Sequence, residues 1–320
     1  ACWLAAPWAL VAAFACSSGG GAGAGGSGGG LAPPPATCNG HAELCARRYT
    51  DVSYPGTHGS YSDVDEGFGA PDQTHDVARQ LEDGIRVLHI EVHDDHGQTV
   101  VCHSICAIGE RPLTHDLEAV ASFLATHPDN VVTVLLERSD GVVTADAIGD
   151  AFDEAGLSGA TLTLSPGATW PTLGEMIRRR TPIVAFLDDT SGSHHPFLLP
   201  RWSFTWETPW DNEQPADFGR CDADRGTQGN DVYVVDTYLE DQLIPTAEHA
   251  ALVNFDPFLV DRNLDCREQT KTRPNFVMVN FYEVGDLFHV VDVLNGFASA
   301  PHDALAGFPP TSWPADAGTD

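Results

Sequence analysis

Residues 84–106, GIRVLHIEVHDDHGQTVVCHSIC, decide how this chain is read. Ile85, Val87, Leu88, Ile90 and Val92 are apolar, with Arg86, His89 and Glu91 between them. A β-branched run with partial alternation is the pattern of a half-buried strand. Asp94-Asp95-His96-Gly97 supplies turn chemistry, and Thr99–Cys102 is a second short strand that delivers His103. Glu91 and His103 then leave the ends of neighbouring strands, where barrels and open α/β sheets place their chemistry. Upstream, the strand-like Thr50–Tyr54 runs into PGTHGS (55–60), whose Pro and Gly end the strand and expose His58 in a tight turn. Two His at successive strand ends suit acid–base work, because imidazole titrates near neutrality. A single His among fourteen is more often a plain surface or core residue; the pairing carries the signal.

The rest of the chain alternates strand and helix. Gln73–Asp83 reads as a helix ahead of the central strand, and Leu113–Thr126 has its apolar residues at helical spacing. Val131–Leu136 is a continuous apolar run, as in a parallel strand buried on both faces, and Glu137 follows it. Ala145–Ala155 and Trp170–Arg180 are helices; Pro182–Leu187, Arg201–Glu207, Asp231–Leu239 and Asn275–Tyr282 are strands. Thr246–Phe255 and Asp286–Leu294 are the last helices. Such alternation implies βαβ units, and up to eight strands over about 260 residues fit a (β/α)8 TIM barrel. The strand ends of that barrel gather His58, Glu91, His103, Glu137, Asp188 and Asp236 at one mouth.

PGTHGS, QLEDGIRVLHIEV, VVCHS and HPDNVVTVLLE, in this order, resemble the X-domain of phosphatidylinositol-specific phospholipase C, in particular its secreted single-domain forms in bacteria, fungi and plants. CNGHAELCARRYTDVSYPGTH and PNFVMVNFYEVGDLFHVVDVLNG extend the likeness over residues 38–297. The resemblance implies one somewhat irregular barrel and cleavage of a phosphodiester through a cyclic product. By position, His58 matches the family's general base and His103 its general acid. The family meets the phosphorane charge with an Arg or with Ca2+. Glu91 stands where an Arg would, so a metal is expected, with Glu91 and Glu137 as ligands and Ca2+ as the cofactor. The plainer alternative has both Glu ordering the His residues or pairing with Arg86 and Arg138. Arg86, Asp188, Asp236 and Tyr282 are the expected substrate contacts. Gly59, His89 and Asn280 depart from the pattern, each standing where relatives carry or would be expected to carry a ligand or an orienting group. Cys38–Cys45 and Cys102–Cys106 are close in sequence, Cys221–Cys266 remains by elimination, and the resemblance implies the same three disulfides.

Composition bounds the partners. The formal charge is −30, from 46 acidic and 16 basic residues, and Lys271 is the one Lys. That argues against nucleic acid and against electrostatic docking on anionic lipid. It fits a protein kept soluble where salt screens self-repulsion. Eight Cys without CxxC spacing point to an oxidising compartment rather than to zinc. Residues 1–16 are an uncharged apolar run, too short to span a bilayer, and read as the core of a signal peptide. Ala13-Phe14-Ala15-Cys16 resembles a lipobox ahead of a Gly/Ser/Pro tether (17–37), so Cys16 is the expected lipidation site, with plain cleavage near Ala15 as the rival. The expectation is a secreted or lipid-anchored monomer acting on a phospholipid-like diester, with a disordered tail over 298–320. Rival readings are a glycerophosphodiester or sphingomyelinase-D-like barrel enzyme and a non-catalytic binding module. RWSFTWETPWDN places Trp202, Trp206 and Trp210 together, as headgroup contacts or as packing.

Overall fold

The computed structural model describes residues 31–300 except 104, 140 and 241–244. Residues 1–30, with Cys16, and the tail from 301 lie outside the described residues. Eight short parallel strands form the frame: β1 (Tyr54–Thr57), β2 (Val87–Asp95), β5 (Val132–Arg138), β6 (Ile183–Leu187), β7 (Leu198–Pro200), β8 (Thr205–Glu207), β10 (Val232–Asp236) and β11 (Pro274–Val279). They pair in the order β7-β6-β5-β2-β1-β11-β10-β8, so the chain's first and last parallel strands lie side by side. No pairing joins β7 to β8 among the described residues. The fold is thus the expected irregular (β/α)8 TIM barrel, with one open seam. β2 runs past the barrel and turns back as a hairpin with β3 (Gln98–Cys102), which pairs in turn with β4 (Glu110–Pro112). β9 (Arg225–Gly226) lies antiparallel on β8.

Strand alternation splits the core into two layers. Tyr54, Val87, Leu135, Phe186, Val234, Phe276 and Met278 fill the inside of the barrel. Leu88, Ile90, Val134, Leu136, Ala185, Val277 and Val279 point outward. There they meet α1 (Val77–Asp83), α2 (Leu113–Thr126), α3 (Ala145–Glu154) and α8 (Leu287–Asn295). Caps set the helix starts: Asp76 accepts from Arg79 N, Thr144 from Ala147 N, and Thr172 forms a capping box with Glu175 at α4 (Leu173–Arg179). Hence α1 and α4 begin later than their apolar pattern suggests.

Three differences from the expected elements have local causes. β1 starts at Tyr54 because Tyr49–Asp51 is a 3-10 turn. Arg201–Phe204 is one helical turn, α5, and only Thr205–Glu207 is strand. The turn follows Pro200 and brings the Arg201 guanidinium onto Glu207. After α6 (Ala247–Val253), a helix the sequence pattern does not announce, α7 (Phe258–Thr270), buries Arg262 and Asn263 beside Leu259, Val260 and Leu264. Buried polar residues blur the apolar period that would mark it. All three expected disulfides form, Cys38–Cys45, Cys102–Cys106 and Cys221–Cys266. No described helix is long and apolar enough to cross a membrane.

Candidate active site

His58 follows β1, and its backbone N–H still donates to Val279 O of β11 at 3.0 Å. The turn behind it is pinned: Ser60 N donates to His89 O (2.9 Å), and Gln80 Nε2 donates to Ser60 O (2.7 Å). The ring stacks on Tyr238 at 4.0 Å and faces His89 at 5.1 Å. Its Nδ1 lies 3.0 Å from Asn280 Oδ1, while Asn280 Nδ2 donates to Asp72 Oδ1 at 3.2 Å. An amide nitrogen committed to a carboxylate turns its oxygen toward the ring. Nδ1 is therefore the protonated nitrogen, and Nε2 keeps its lone pair. Burial, helped by neighbouring His89, pushes the His58 imidazole down to about 3, which keeps it neutral.

His103 ends the β2–β3 hairpin. The Cys102–Cys106 disulfide brackets it, and Tyr61 Oη donates to Cys102 O at 3.0 Å. Its Nδ1 contacts Ala70 O at 3.0 Å. Between the two His lies Asp72, a residue that the sequence analysis does not single out. His58 Nδ1 is 3.7 Å from its Oδ1 and His103 Nδ1 is 3.8 Å from its Oδ2. Asp72 is fully buried, and Oδ2 makes no hydrogen bond. Burial, with Glu240 and Glu91 nearby, pushes its carboxyl well above the usual range. An Asp in a chain with 46 acidic residues leaves no mark in the sequence. Only the fold picks it out.

Glu91 and Glu137 are in register on β2 and β5, so both turn to the barrel interior. Burial pushes the Glu91 carboxyl up, but His93, with His89, His58 and His103 beyond it, outweighs that and holds it below its ordinary value. Glu137 is taken. Its Oε1 meets Arg225 Nη1 at 3.1 Å, and its Oε2 meets His89 Nε2 at 3.3 Å and Arg201 Nη1 at 3.6 Å. Despite its burial, these partners hold the carboxyl far below its ordinary value. Both guanidinium groups also bond Glu207. Trp202 lies under both, Trp210 lies against Arg225, and Trp206 is buried on Tyr233 as packing.

This donor set does not fit calcium. The ion needs six to eight oxygen ligands, whereas both Glu137 oxygens are engaged by cationic or N–H groups. Gly59 has no side chain, and His89 offers nitrogen. Of the expected ligand positions only Glu91 keeps a carboxylate without a guanidinium on it. Arg201 and Arg225 went unnoticed because they come from α5 and β9, far from the His motifs in sequence.

Asp236, at the end of β10, shares a small cavity with His58, His89, Arg201, Glu207, Arg225 and Tyr238. Burial, with Glu207 near it, raises its carboxyl well above the ordinary range. Asp188 sits just past β6 and accepts from Arg138 N and Asp189 N. The expected substrate contacts Arg86 and Tyr282 are corrected. Arg86 precedes β2, at the opposite end of the barrel, where it donates to Asn130 Oδ1, Leu81 O and Ile85 O. Tyr282 lies in the outer layer and donates to Asp83 Oδ2 at 2.8 Å.

Fold and site together define a class: a (β/α)8 barrel protein with two His at the ends of its strands. The chain belongs to the PI-PLC X domain family, whose model matches residues 44–295. PI-PLC X domain-containing protein 1 of Arthroderma benhamiae is 29% identical over 284 residues, covering 81% of this chain and 89% of that protein. An uncharacterized secreted protein of the same fungus is also 29% identical; the match covers 81% of this chain and 64% of that protein's length. The phosphatidylinositol-specific phospholipase C of Listeria monocytogenes shares the fold, with a TM-score of 0.52 at 16% identity over 80% of this chain and 97% of that one.

Proposed function

We propose that this chain cleaves a phosphodiester that carries a neighbouring hydroxyl, of the phosphatidylinositol kind, by two-His acid–base catalysis. The observation that carries the reading is the pair His58 and His103, each held within 4 Å of one buried carboxylate. His58 Nε2 takes the hydroxyl proton, the oxygen attacks phosphorus, and the P–O bond to the departing alcohol breaks. His103 gives that alcohol its proton, and a cyclic phosphodiester remains. Charge on the phosphorane is met by Arg225, which has N–H donors beyond those given to Glu207 and Glu137. Tyr238 stacks on the His58 ring and, with Asp236, lines the small cavity beside it. A lipid substrate is supported by exposed apolar residues on loops that leave the mouth: Val64, Ile105, Ile108, Val142 and Trp210. The negative charge favours a surface low in anionic lipid. A fungal relative described as secreted supports an extracytoplasmic setting.

The test is phosphorus NMR of the protein with phosphatidylcholine vesicles carrying a minor share of phosphatidylinositol, in calcium and in chelator. The expected result is a cyclic phosphodiester signal of equal rate in both, lost by about 100-fold or more in His58→Ala and in His103→Ala. A calcium requirement would return the cation role to a metal at Glu91. Release of free glycerol phosphate without a cyclic product would favour the glycerophosphodiester chemistry.

A further inference from the structure

We propose that Asp72 is the shared counter-ion of His58 and His103, a positioning residue that occupies the space Gly59 leaves open. The inference rests on the two-His reading of the site. Three independent observations meet on it. A Cβ built on Gly59 would lie 2.0 Å from Asp72 Oδ2, and Gly59 has φ +50°, so the carboxylate fills the volume a side chain after His58 would take. The two Asp72 oxygens face different imidazoles, at 3.7 and 3.8 Å. Finally, Oδ2 is buried without a hydrogen bond, an arrangement that costs stability unless a cation comes to it.

The loop holds Asp72 rigidly in this place. Its backbone N donates to Ser62 O, and its carbonyl accepts from Phe281 N. The next residue, Gln73, donates to His58 O and Val279 O and accepts from Tyr282 N. Loop 62–73 is thus fastened to the ends of β1 and β11.

In the reaction one proton leaves the substrate hydroxyl for His58 Nε2, and one leaves His103 for the alcohol. The positive charge therefore crosses from one imidazole to the other, and the pair's total charge stays constant. While both rings are neutral, burial favours the protonated Asp72 acid; the imidazolium that the reaction keeps on one side or the other draws that proton out, and the carboxylate then stabilises either ring without moving. It also fixes the Asn280 amide, and through it the His58 tautomer. The other groups facing the pair are His89 and Glu91 on β2, Tyr238 and Glu240 after β10, and Asn280 after β11.

The test compares wild type, Asp72→Asn, and the double variant Gly59→Asp with Asp72→Gly, which returns a carboxylate from the neighbouring backbone position; Asp tolerates the left-handed conformation there. Nitrogen-15 spectra of the His rings need no turnover. Wild type should show His58 as one Nδ1–H tautomer. Asp72→Asn should mix the tautomers, because its new amide competes for Asn280. With phosphatidylinositol, kcat should fall by about 10- to 100-fold in Asp72→Asn at nearly constant KM, with a changed kcat–pH profile. The double variant should recover about tenfold. An unchanged tautomer with a superimposable kcat–pH profile overturns the proposal. So does a double variant that melts like wild type and recovers nothing. If wild type turns over no phosphatidylinositol, the ring spectra still decide the Asp72 role, so the two readings fail separately.

Discussion

At the scale of single residues, His58 does its work through what packs on its ring. Burial holds it neutral down to about pH 3, whereas an unfolded chain titrates it near 6.5. Below pH 6.5 the unfolded state therefore takes a proton that the folded state refuses, and stability falls as pH falls toward 3. Asp72 acts in the opposite sense: its raised carboxyl removes stability as pH rises above the ordinary carboxylate range. Urea unfolding of wild type and His58→Gln between pH 6.5 and 5 checks the His58 contribution. Wild type should lose up to about 1.4 kcal/mol per pH unit more than the variant; parallel slopes would remove the burial argument. His58 and His103 were legible in the sequence because each comes directly after a short strand-like run. Asp72, Arg201 and Arg225 were not, since nothing local marks a carboxylate or guanidinium that reaches the site from a loop, a single helical turn or a two-residue strand. Arg86 misled for the converse reason: it stands three residues before His89 in sequence, yet it precedes β2 and so falls at the other end of the barrel.

At the scale of elements, β2, β5, β6, β10 and β11 were readable as apolar runs, the three-residue β7 was not, and Leu113–Thr126 matched α2 residue for residue. α7 was hidden by its polar core. Arg262 is fully buried there, donating to Phe218 O and Arg220 O at 2.7 Å. Burial lowers it to about 10. These bonds, with Cys221–Cys266, tie α7 to the segment that leads into β9 and hence to Arg225. The disulfide closes a 45-residue separation, and in the loop-entropy account it stabilises by about 4 kcal/mol. Replacing both Cys by Ser should lower the unfolding free energy by about that amount, read by denaturant titration. Because Arg225 hangs from this segment, phosphodiester turnover should fall in the same variant while Cys38→Ser with Cys45→Ser leaves it intact.

At the scale of the molecule, a charge of −30 makes self-repulsion a standing cost. Raising NaCl from about 0.01 to 1 M shortens the Debye length from about 30 to 3 Å, so the melting temperature should climb with salt; a flat response would show that the acidic residues are already locally matched. The barrel class was legible from strand–helix alternation, but its open seam was not. That seam has a consequence for how copies of the chain meet. An incomplete barrel offers two free strand edges, the usual template for strand-by-strand association. Here one edge, that of β8, is covered by β9. The other belongs to β7, three residues long and ending in Pro200, which has no N–H to offer. Among the described residues neither edge gives an arriving strand a long ladder to extend, so the seam beside the arginines is a poor template for polymerisation.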